Sequence, residues 1–478
     1  MIARWAWIVI QSFNDLTLVY FIVLNTVYLV TSLYAFRALR KYTRRLKSFF
    51  TDDLVTSAGA PPITLIAPAY NEEATCVQSI RSLLTLKYPE YEILLVNDGS
   101  KDATLERLID AFELVPSARA PTAELPTTPI RGIFHSRIYP ILWVIDKVNG
   151  GKADTLNAGL NHCRTPLFCA MDADSLLERE ALLRIVRPFL EESTTVAAGG
   201  IIRIVNGCSV QSGNITDIRL PKKFLAKFQV LEYLRAFLSG RMGWDTLGAT
   251  LIISGAFGLF RRAIVVEAGG FATFRTSFET VGEDMELVVR LHRYCREQRI
   301  PYRITYIPDP VAWTECPETL KVLGRQRDRW QRGLSQVMMR HRRMLLNPRY
   351  GRIGLLAYPY FFFLEMLGPL IELCGYISFL MTILLGAYTL LYVATFFMVA
   401  FVLGMALSLA AVSLEELSFR RYPRMKDLMQ LFFLAILENF GYRQINQYWR
   451  VRGVFSALFR KKSWGKMEHK GFGGEKTS

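Results

Sequence analysis

Two aspartates separated by one residue follow a short apolar segment near the middle of the chain. Asp172 and Asp174 come directly after the apolar run 167–170, which is typical of a short buried strand. Two carboxylates this close together resist burial unless a cation lies beside them. A divalent ion with a phosphorylated ligand would satisfy both, because Mg²⁺ takes one or two protein carboxylates and completes its shell with water and phosphate oxygens. The same pattern on its own also occurs in solvated turns.

Other polar clusters follow apolar runs in the same way. The runs 63–67, 92–96 and 142–145 are followed by Tyr-Asn-Glu, Asn-Asp-Gly-Ser and Asn-Gly-Gly-Lys, and a helical pattern comes after each. This β-α-β-α-β-α-β order, with nearly continuous apolar strands, predicts a mostly parallel sheet that is covered on both faces. Ligands bind such sheets outside the carboxyl ends of the strands. We therefore expect one site that is built from all four clusters.

The rest of the chain is rich in apolar segments that favour a membrane protein. The chain has 478 residues, which predicts two or three structural units. Its segment 16–36 has no charged residue and is long enough to cross a bilayer as a helix. Arg37 begins a cluster of six basic residues that ends at Lys47, whereas only Arg4 and the amino terminus precede the segment. The bias of positive charge towards the cytoplasm predicts a retained anchor with the following residues in the cytosol.

A second apolar block covers residues 353–449. Within it, residues 373–414 carry no charge and are about twice as long as one span, so we expect two helices that fold back near residues 386–392. The flanking segments 354–372 and 428–449 contain charged residues, which are Glu365, Glu372, Glu438 and Arg443. These two segments either cross the membrane or lie in its headgroup region, and the sequence leaves both alternatives open.

The net charge of +16 is concentrated beside the apolar segments. This placement favours contact with anionic membrane lipids, and it argues against a nucleic-acid partner. The seven cysteines show no Cys-X-X-Cys spacing, so we expect reduced core thiols rather than disulfides or zinc ligands.

Six motifs taken together resemble the family 2 glycosyltransferases with the GT-A fold. The resemblance is to the membrane-embedded group that includes the poly-N-acetylglucosamine, hyaluronan, cellulose and chitin synthases. Its motifs occur in the family's order across residues 60–335, at positions 67–72, 96–100, 150–153, 172–174, 282–284 and 326–330. The resemblance implies a Rossmann-like α/β domain with transmembrane helices on either side. The segment 115–140, with five prolines, is predicted to be a surface insertion that the resemblance does not explain.

The resemblance also implies a donor site for a nucleotide sugar. The diphosphate would be bound with Mg²⁺ or Mn²⁺ held by Asp174. The implied nucleotide and diphosphate contacts are Tyr70, Glu72, Asp98, Lys152 and Asp172. Taken alone, the residues around Asp98 favour a plain turn with a helix cap, whereas the other motifs together favour the nucleotide contact. Lys152 could also be a solvated lysine, but its place after two glycines at a helix start favours a phosphate contact.

On the acceptor side, the resemblance makes Asp284 the general base. The first turn 283–286 is acidic, which the helix dipole alone would also favour. The implied acceptor and diphosphate contacts are Gln326, Arg329 and Trp330, which helical spacing places on one face. An amphipathic helix on the membrane surface also fits this segment, because Arg325, Arg327 and Arg332 flank the triplet. We expect the helix to do both, with the triplet facing the acceptor site. The glycine-rich segment 254–258 resembles a loop that contacts the acceptor.

The function implied is an inverting hexosyl- or N-acetylhexosaminyltransferase. It would move a sugar from a UDP-sugar to a growing β-linked exopolysaccharide and couple synthesis to membrane translocation. The alternatives are a glycosyltransferase that adds one or a few sugars to a membrane lipid, and a non-catalytic secretion scaffold. Expected partners are the UDP-sugar, a glycan or lipid acceptor, membrane lipids and accessory secretion subunits.

The expected organisation is a multi-pass protein of the cell membrane with a cytoplasmic catalytic domain. Residues 1–48 would form the anchor and its basic flank, 49–347 the GT-A domain with interfacial helices, 348–450 the transmembrane region and 451–478 a basic cytosolic tail.

Overall fold

The structure, a computed structural model, describes residues 2–46, 59–211, 213–273, 275, 280–386 and 389–459. The described residues divide into two units. A helical unit comprises 2–41, 223–249 and 317–459, and a sheet-containing unit comprises 42–222 and 250–316. Lys47, and the part of the predicted basic tail from residue 460 onward, lie outside the described residues. The four-part division expected from the sequence stays a prediction.

The sheet-containing unit is built on one large mixed sheet. Within the described residues the sheet has ten strands in the order β3-β4-β5-β2-β1-β6-β11-β8-β12-β7, and β9 pairs with β10 in a separate ribbon. The strands are β1 Ile63–Ala69, β2 Tyr91–Asn97, β3 Leu114–Pro116, β4 Ile130–Ser136, β5 Leu142–Lys147, β6 Leu167–Ala170, β7 Leu176–Leu177, β8 Thr195–Ile204, β9 Ser209–Gln211, β10 Asn214–Asp217, β11 Gly258–Arg261 and β12 Arg303–Thr314.

The four strands predicted from the sequence are adjacent and parallel. They lie in the order β5-β2-β1-β6, and the last residues of β1 and β2, Ala69 and Asn97, are direct neighbours. The predicted α/β fold class is thereby confirmed. The sheet as a whole is mixed because β11 runs antiparallel between β6 and β8, and β3, β4 and β7 complete its ends with antiparallel pairs.

Helices cover this sheet and complete its core. Strands β1 and β2 are buried along most of their length because their side chains are apolar on both faces. The helix Lys152–His162 packs so closely on β1 that a Cβ atom at Gly159 would lie 2.4 Å from Ile66 Cγ2. The helices of this unit are Cys76–Leu84, Thr104–Phe112, Lys152–His162, Ala181–Ile185, Arg187–Glu191, Arg262–Glu267 and Glu283–Glu297.

The proline-containing segment 115–140 is part of the sheet as well as of the surface. Its second half forms β4, which pairs with β5, so the prediction of a surface insertion was incomplete. Its first half is anchored by Arg119, a buried guanidinium whose Nη2 donates to both carboxylate oxygens of Glu92 at 2.7 and 2.9 Å. The four prolines before residue 130 obscured a proline-free, β-branched and aromatic stretch that favours a strand.

The helical unit contains helices that are apolar and long enough to cross a membrane. Among the described residues, Trp7–Arg45 and Leu390–Ser418 meet this criterion, and the pair Ile353–Met366 and Gly368–Leu384 meets it as one span bent by 43°. The unit's helices are Ile2–Leu46, Phe224–Tyr233, Leu234–Arg241, Met242–Thr246, Leu320–Arg340, Arg342–Met344, Pro348–Tyr350, Ile353–Ala357, Tyr360–Met366, Gly368–Leu384, Leu390–Phe397, Met398–Val402, Leu403–Ser418, Met425–Leu437 and Tyr442–Leu458. Separate helices end at Leu384 and begin at Leu390, and Phe379 of the first stacks on Phe396 of the second with ring centroids 4.1 Å apart, as the expected fold-back near residues 386–392 requires.

Charged residues in the apolar block are paired within the helical unit. Glu438 is completely buried and accepts hydrogen bonds from Ser408 and Arg443 at 2.6 and 2.9 Å. Glu365 pairs with Arg450 at 2.9 Å. These partners offset the cost of removing the charged side chains from water. That cost is the reason why the sequence alone left the placement of segments 354–372 and 428–449 open.

The contact between Gly159 and Ile66 gives a test of this packing. We expect Gly159→Ala to destabilise the protein by about 1–3 kcal/mol, because the β-branched Ile66 side chain has no flexible end to move aside. In an Ile66→Ala background the sign should reverse, since the added methyl group fills vacated space. The measurement is thermal unfolding of the detergent-solubilised protein, and equal effects in both backgrounds would contradict the packing.

Candidate active site

The carboxyl ends of the parallel strands bring the predicted donor residues to one edge of the sheet. Strands β1, β2, β5 and β6 end at Ala69, Asn97, Lys147 and Ala170, and the polar clusters begin within a few residues of each end. Parallel strands place these ends at the same edge. The sequence pattern therefore translated directly into a spatial cluster.

Lys152 forms the centre of this cluster. Its Nζ lies 2.5 Å from Asp172 Oδ1 and 3.2 Å from Glu283 Oε1. Burial opposes the charge on Lys152, but the nearby carboxylates, Asp172 first and then Glu283, outweigh it and raise the pKa of the amine above its usual value. Lys152 is therefore an ammonium ion held between two carboxylates.

Asp284 lies beside this group at the start of the helix Glu283–Glu297. Its Oδ2 accepts the backbone N–H of Gly255 at 3.0 Å and its Oδ1 accepts that of Met285 at 2.8 Å. Both oxygens are thus oriented by the backbone, and each keeps further lone-pair capacity for a ligand proton. A Cβ atom at Gly255 would lie 2.9 Å from Lys152 Nζ, so the loop, the lysine and the predicted base are in close contact.

Asp98 is turned inward at the end of β2. The residue is only 3% exposed. Its Oδ1 accepts from Lys147 Nζ at 2.7 Å and from the Gly150 N–H at 2.9 Å. Its Oδ2 accepts from Asn149 Nδ2 at 3.1 Å and from the Gly151 N–H at 2.8 Å. One donor, Lys147, is the last residue of β5, and the other three lie in the segment that links β5 to the helix Lys152–His162.

The loop after β1 is tied to the loop after β2. Asn71 Oδ1 accepts from the Lys101 N–H at 2.8 Å, and the Glu72 N–H donates to Thr104 Oγ1 at 2.9 Å. Within this loop Glu72 Oε2 accepts from Thr75 Oγ1 at 2.7 Å, whereas the Tyr70 ring is 44% exposed. Tyr70 therefore presents an aromatic surface to solvent next to the cluster's strand ends.

The donor atoms of Asp172 and Asp174 suit a metal that arrives with a phosphorylated ligand. Both aspartates are half-buried, and the described residues contain no group of three or more His, Cys, Asp or Glu side chains placed to hold a metal. These described residues therefore do not supply a complete set of metal ligands. An ion of the Mg²⁺ type needs only one or two carboxylates when phosphate oxygens and water complete its shell, so the pair fits such an ion.

The predicted acceptor triplet belongs to the helical unit, on the helix Leu320–Arg340. Gln326 is buried, Arg329 is half-buried and the Trp330 ring is 42% exposed. The guanidinium of Arg327 packs over the Trp330 ring at 4.3 Å. Arg327 and Arg332 are both buried, so the alternative of a basic membrane-surface face was wrong for these two residues.

Sequence reasoning missed four residues of the cluster, which are Lys147, Asp154, Gly255 as a hydrogen-bond donor, and Glu283 as a partner of Lys152. Lys147 offered a signal, because it is a charged residue at a strand end like the others. Glu283 offered none beyond its acidic helix turn, since its partner lies 131 positions earlier in the chain.

The fold and this site define a glycosyltransferase domain of the GT-A class. The mannosyltransferase PcManGT from Pyrobaculum calidifontis, solved with GDP-Man and Mn²⁺, shares the fold with a TM-score of 0.52 at 17% identity, over 92% of this chain and 100% of that one. The family model described as glycosyltransferase-like family 2 matches residues 61–333. The chain belongs to this family, as the motifs predicted.

Two similar curated proteins are staphylococcal synthases. A poly-β-1,6-N-acetyl-D-glucosamine synthase of Staphylococcus epidermidis is 27% identical over 278 residues, which are 58% of this chain and 56% of that protein. The synthase of Staphylococcus aureus strain COL is 27% identical over 332 residues, 69% of this chain and 67% of that protein. The match thus spans little more than half of the first relative's length.

A buried histidine on the helix that carries Asp284 gives a pH test. His292 Nε2 contacts the Thr250 carbonyl at 2.7 Å, and burial lowers the pKa of His292 from 6.5 to about 4. The neutral ring is favoured in the folded state, so its stabilising effect is complete above pH 6.5 and is lost as the pH falls towards 4. Between pH 7 and pH 5 we expect the free energy of unfolding to decrease by about 2 kcal/mol through this group.

The matched variant is His292→Gln, which keeps a donor for the Thr250 carbonyl but cannot be protonated. Its unfolding free energy, from urea titrations at both pH values, should depend less on pH by that amount. An unchanged dependence would show that His292 does not titrate in this way.

Proposed function

We propose that this chain is an inverting glycosyltransferase that moves an N-acetylhexosamine from a UDP-sugar to a growing β-linked exopolysaccharide. The observation that carries the proposal is the Lys152 ammonium held between Asp172 and Glu283, next to Asp284, which accepts a hydrogen bond from the Gly255 N–H. A cationic group for a diphosphate and a carboxylate for a hydroxyl proton are the two parts that sugar transfer needs. The named activity of the staphylococcal relatives supports this donor and product class.

The donor would bind at the carboxyl edge of the sheet. Tyr70 and Glu72 would contact the base and ribose, with the exposed ring of Tyr70 offering a stacking surface. Asp172 would contact the ribose. Lys152 would exchange its carboxylate partners for diphosphate oxygens, which are equally good partners for an ammonium group.

Asp284 would act as the general base. As the acceptor hydroxyl oxygen bonds to the anomeric carbon, its proton passes to Asp284 and the bond from that carbon to the diphosphate oxygen breaks. UDP leaves from the opposite face, so a single displacement inverts the configuration. The two backbone N–H groups that hold the Asp284 carboxylate fix its orientation without consuming all of its acceptor capacity.

A divalent ion, Mg²⁺ or Mn²⁺, would be held by Asp174. When bound, such an ion neutralises negative charge on the diphosphate leaving group. The fit of this site to an ion that arrives with its phosphates supports a metal requirement tied to donor binding.

The remaining parts of the proposal concern the acceptor and the membrane. Gln326, Arg329 and Trp330 would contact the acceptor or the diphosphate, with Trp330 stacking on a sugar ring. The chain would be a multi-pass protein of the cell membrane with its catalytic domain in the cytoplasm. The charge bias around segment 16–36 and the apolar helices support this orientation, with membrane lipids and accessory secretion subunits as partners.

The direct test incubates the detergent-purified protein with a panel of UDP-sugars and Mg²⁺ or Mn²⁺. We expect UDP release with a UDP-N-acetylhexosamine and a high-mass product that a specific glycosidase degrades. Asp284→Asn is the matched control: it should bind the UDP-sugar normally but turn over about 10²- to 10⁴-fold more slowly. A short organic-soluble product would favour the glycolipid alternative, and no UDP release with any donor would contradict the proposal.

The metal assignment has its own test. We expect Asp174→Ala to abolish the dependence of donor turnover on Mg²⁺ or Mn²⁺ concentration, because the ion loses its protein ligand. The measurement is UDP release across a metal titration, with the wild type alongside. A metal response identical to that of the wild type would remove Asp174 from this role.

A further inference from the structure

We propose that Arg450 is a positioning residue for the acceptor. It would act by holding the helix Leu320–Arg340, called the acceptor helix from here on, against the 43° bend of the apolar span that begins at Ile353. The inference rests on the proposed function, because it assumes that the triplet on the acceptor helix contacts the acceptor. It adds a residue of the helix Tyr442–Leu458 to the acceptor side of the reaction.

The bend leaves two backbone carbonyls without their usual helical donors. It lies between Met366 and Gly368. In a continuous helix the carbonyl of Glu365 would accept the N–H of the residue four positions later, but that residue is Pro369, which has no N–H. The next N–H, that of Leu370, donates to the carbonyl three residues before it instead of to Met366. Unpaired carbonyls are costly in an apolar environment, so both require donors from elsewhere.

Two side chains from other helices supply these donors. Gln331 Nε2, on the acceptor helix, donates to the carbonyls of Glu365 and Met366 at 3.1 and 3.2 Å. Arg450 Nη2 donates to the Glu365 carbonyl at 2.9 Å, and Arg450 Nε donates to Gln331 Oε1 at 3.0 Å. Gln331 is only 4% exposed. The bend, the acceptor helix and the helix that carries Arg450 are therefore joined by one set of buried hydrogen bonds.

The carboxylate of Glu365 holds the Arg450 guanidinium in this position. Its Oε2 accepts from Arg450 Nη2 at 2.9 Å, and its Oε1 accepts from the hydroxyl groups of Tyr360 and Tyr28 at 2.6 and 3.0 Å. A guanidinium presents five N–H donors in a fixed plane, so Arg450 can bond to Gln331, to a carbonyl and to a carboxylate at the same time. The geometry of an arginine, and not only its charge, is therefore required here.

Close packing beside Arg450 makes the position of the acceptor helix depend on it. A Cβ atom at Gly453 would lie 2.7 Å from the Asp328 carbonyl oxygen and 2.8 Å from Gln331 Cβ, so the two helices have no free space between them at this point. Gln331 directly follows Trp330 in the chain. A shift of Gln331 would therefore move the ring that is expected to stack on a sugar.

Two Michaelis constants separate positioning of the acceptor from a general loss of stability. Arg450 and its partners belong to the helical unit, whereas the predicted donor residues belong to the sheet-containing unit. If Arg450 positions the acceptor helix, its loss should raise the KM for the acceptor and leave the KM for the donor unchanged. If Arg450 only stabilises the fold, its loss should lower the amount of active protein and leave both constants unchanged.

The experiment measures UDP release by the full-length protein in detergent with UDP-N-acetylglucosamine and Mg²⁺. The acceptor probe is a short β-1,6-linked N-acetylglucosamine oligomer, which follows the product named for the staphylococcal relatives. We expect Arg450→Met to raise the KM for the oligomer about 10-fold or more, because misplacing a binding group by about 1 Å is costly. The polymer should also become shorter, since the growing chain would dissociate more often between additions.

Arg452→Met is the matched control. Arg452 lies on the same helix and bonds to Asp328 of the acceptor helix at 2.9 Å, but its side chain is 47% exposed. Exposed ion pairs contribute little, so this variant should keep both Michaelis constants and the polymer length of the wild type.

Two further variants test the geometry and keep the inference testable if Arg450→Met does not fold. Arg450→Lys keeps a positive charge beside Glu365 but lacks the planar set of donors, so it should unfold near the wild-type temperature and still raise the KM for the oligomer. Gln331→Met removes the amide without removing a charge, and it should raise the same constant. In the double variant of Gln331→Met and Arg450→Met, the rise should be well below the product of the two single effects, because both residues act in one network.

Three results would overturn the inference: an unchanged KM for the oligomer in the folded variants, an equal rise in the KM for the donor, or independent effects in the double variant. A wild-type protein that releases UDP without any response to the oligomer would also overturn it, and the proposed function would stand. A wild-type protein that releases no UDP with any donor would overturn the proposed function, and the inference with it.

Discussion

Repulsion between carboxylates at one edge of a sheet is the constraint on which this site depends. Parallel strands deliver Asp98 and Asp172 to the same edge, and the nearby helices add Asp154 and Glu283. Like charges this close destabilise the fold unless cations lie between them. Two lysines of a single β-to-α connection provide these cations. Lys147 ends the strand and Lys152 begins the helix, so a stretch of six residues supplies a cation between each pair of these carboxylates.

The two lysines differ in their exposure to solvent. This difference indicates a structural role for Lys147 and a ligand-binding role for Lys152. Lys147 has no exposed side-chain surface, and its partners are fixed carboxylates and a backbone carbonyl. Lys152 is 18% exposed, and one of its partners, Asp172, is 34% exposed. A ligand can therefore reach the second ion pair but not the first. The interior pair keeps the loop in place while the outer pair is available for exchange with phosphate.

The sequence was sufficient to predict the parallel strands, the edge where they end and the family, because each depends on local apolar runs and short motifs. It was insufficient for the direction of each side chain. Asp98 and Asp172 occupy similar positions after their strands, yet one is enclosed by the Gly150 loop and the other faces Lys152. That choice depends on how two loops pack together. Two further features also depend on pairing with other strands. Strand β11 pairs antiparallel with β6, and β4, which lies in the proline-containing segment 115–140, pairs with β5.

The hydrogen bond from Gly255 to Asp284 has a consequence for how such an enzyme diverges. One loop touches both the lysine expected to hold the departing diphosphate and the carboxylate expected to receive the acceptor proton. Residues that select an acceptor are therefore not free to vary independently of those that select a donor. A side chain added at position 255 would displace the Lys152 ammonium, so a change of acceptor made at this glycine would also change how the donor is held.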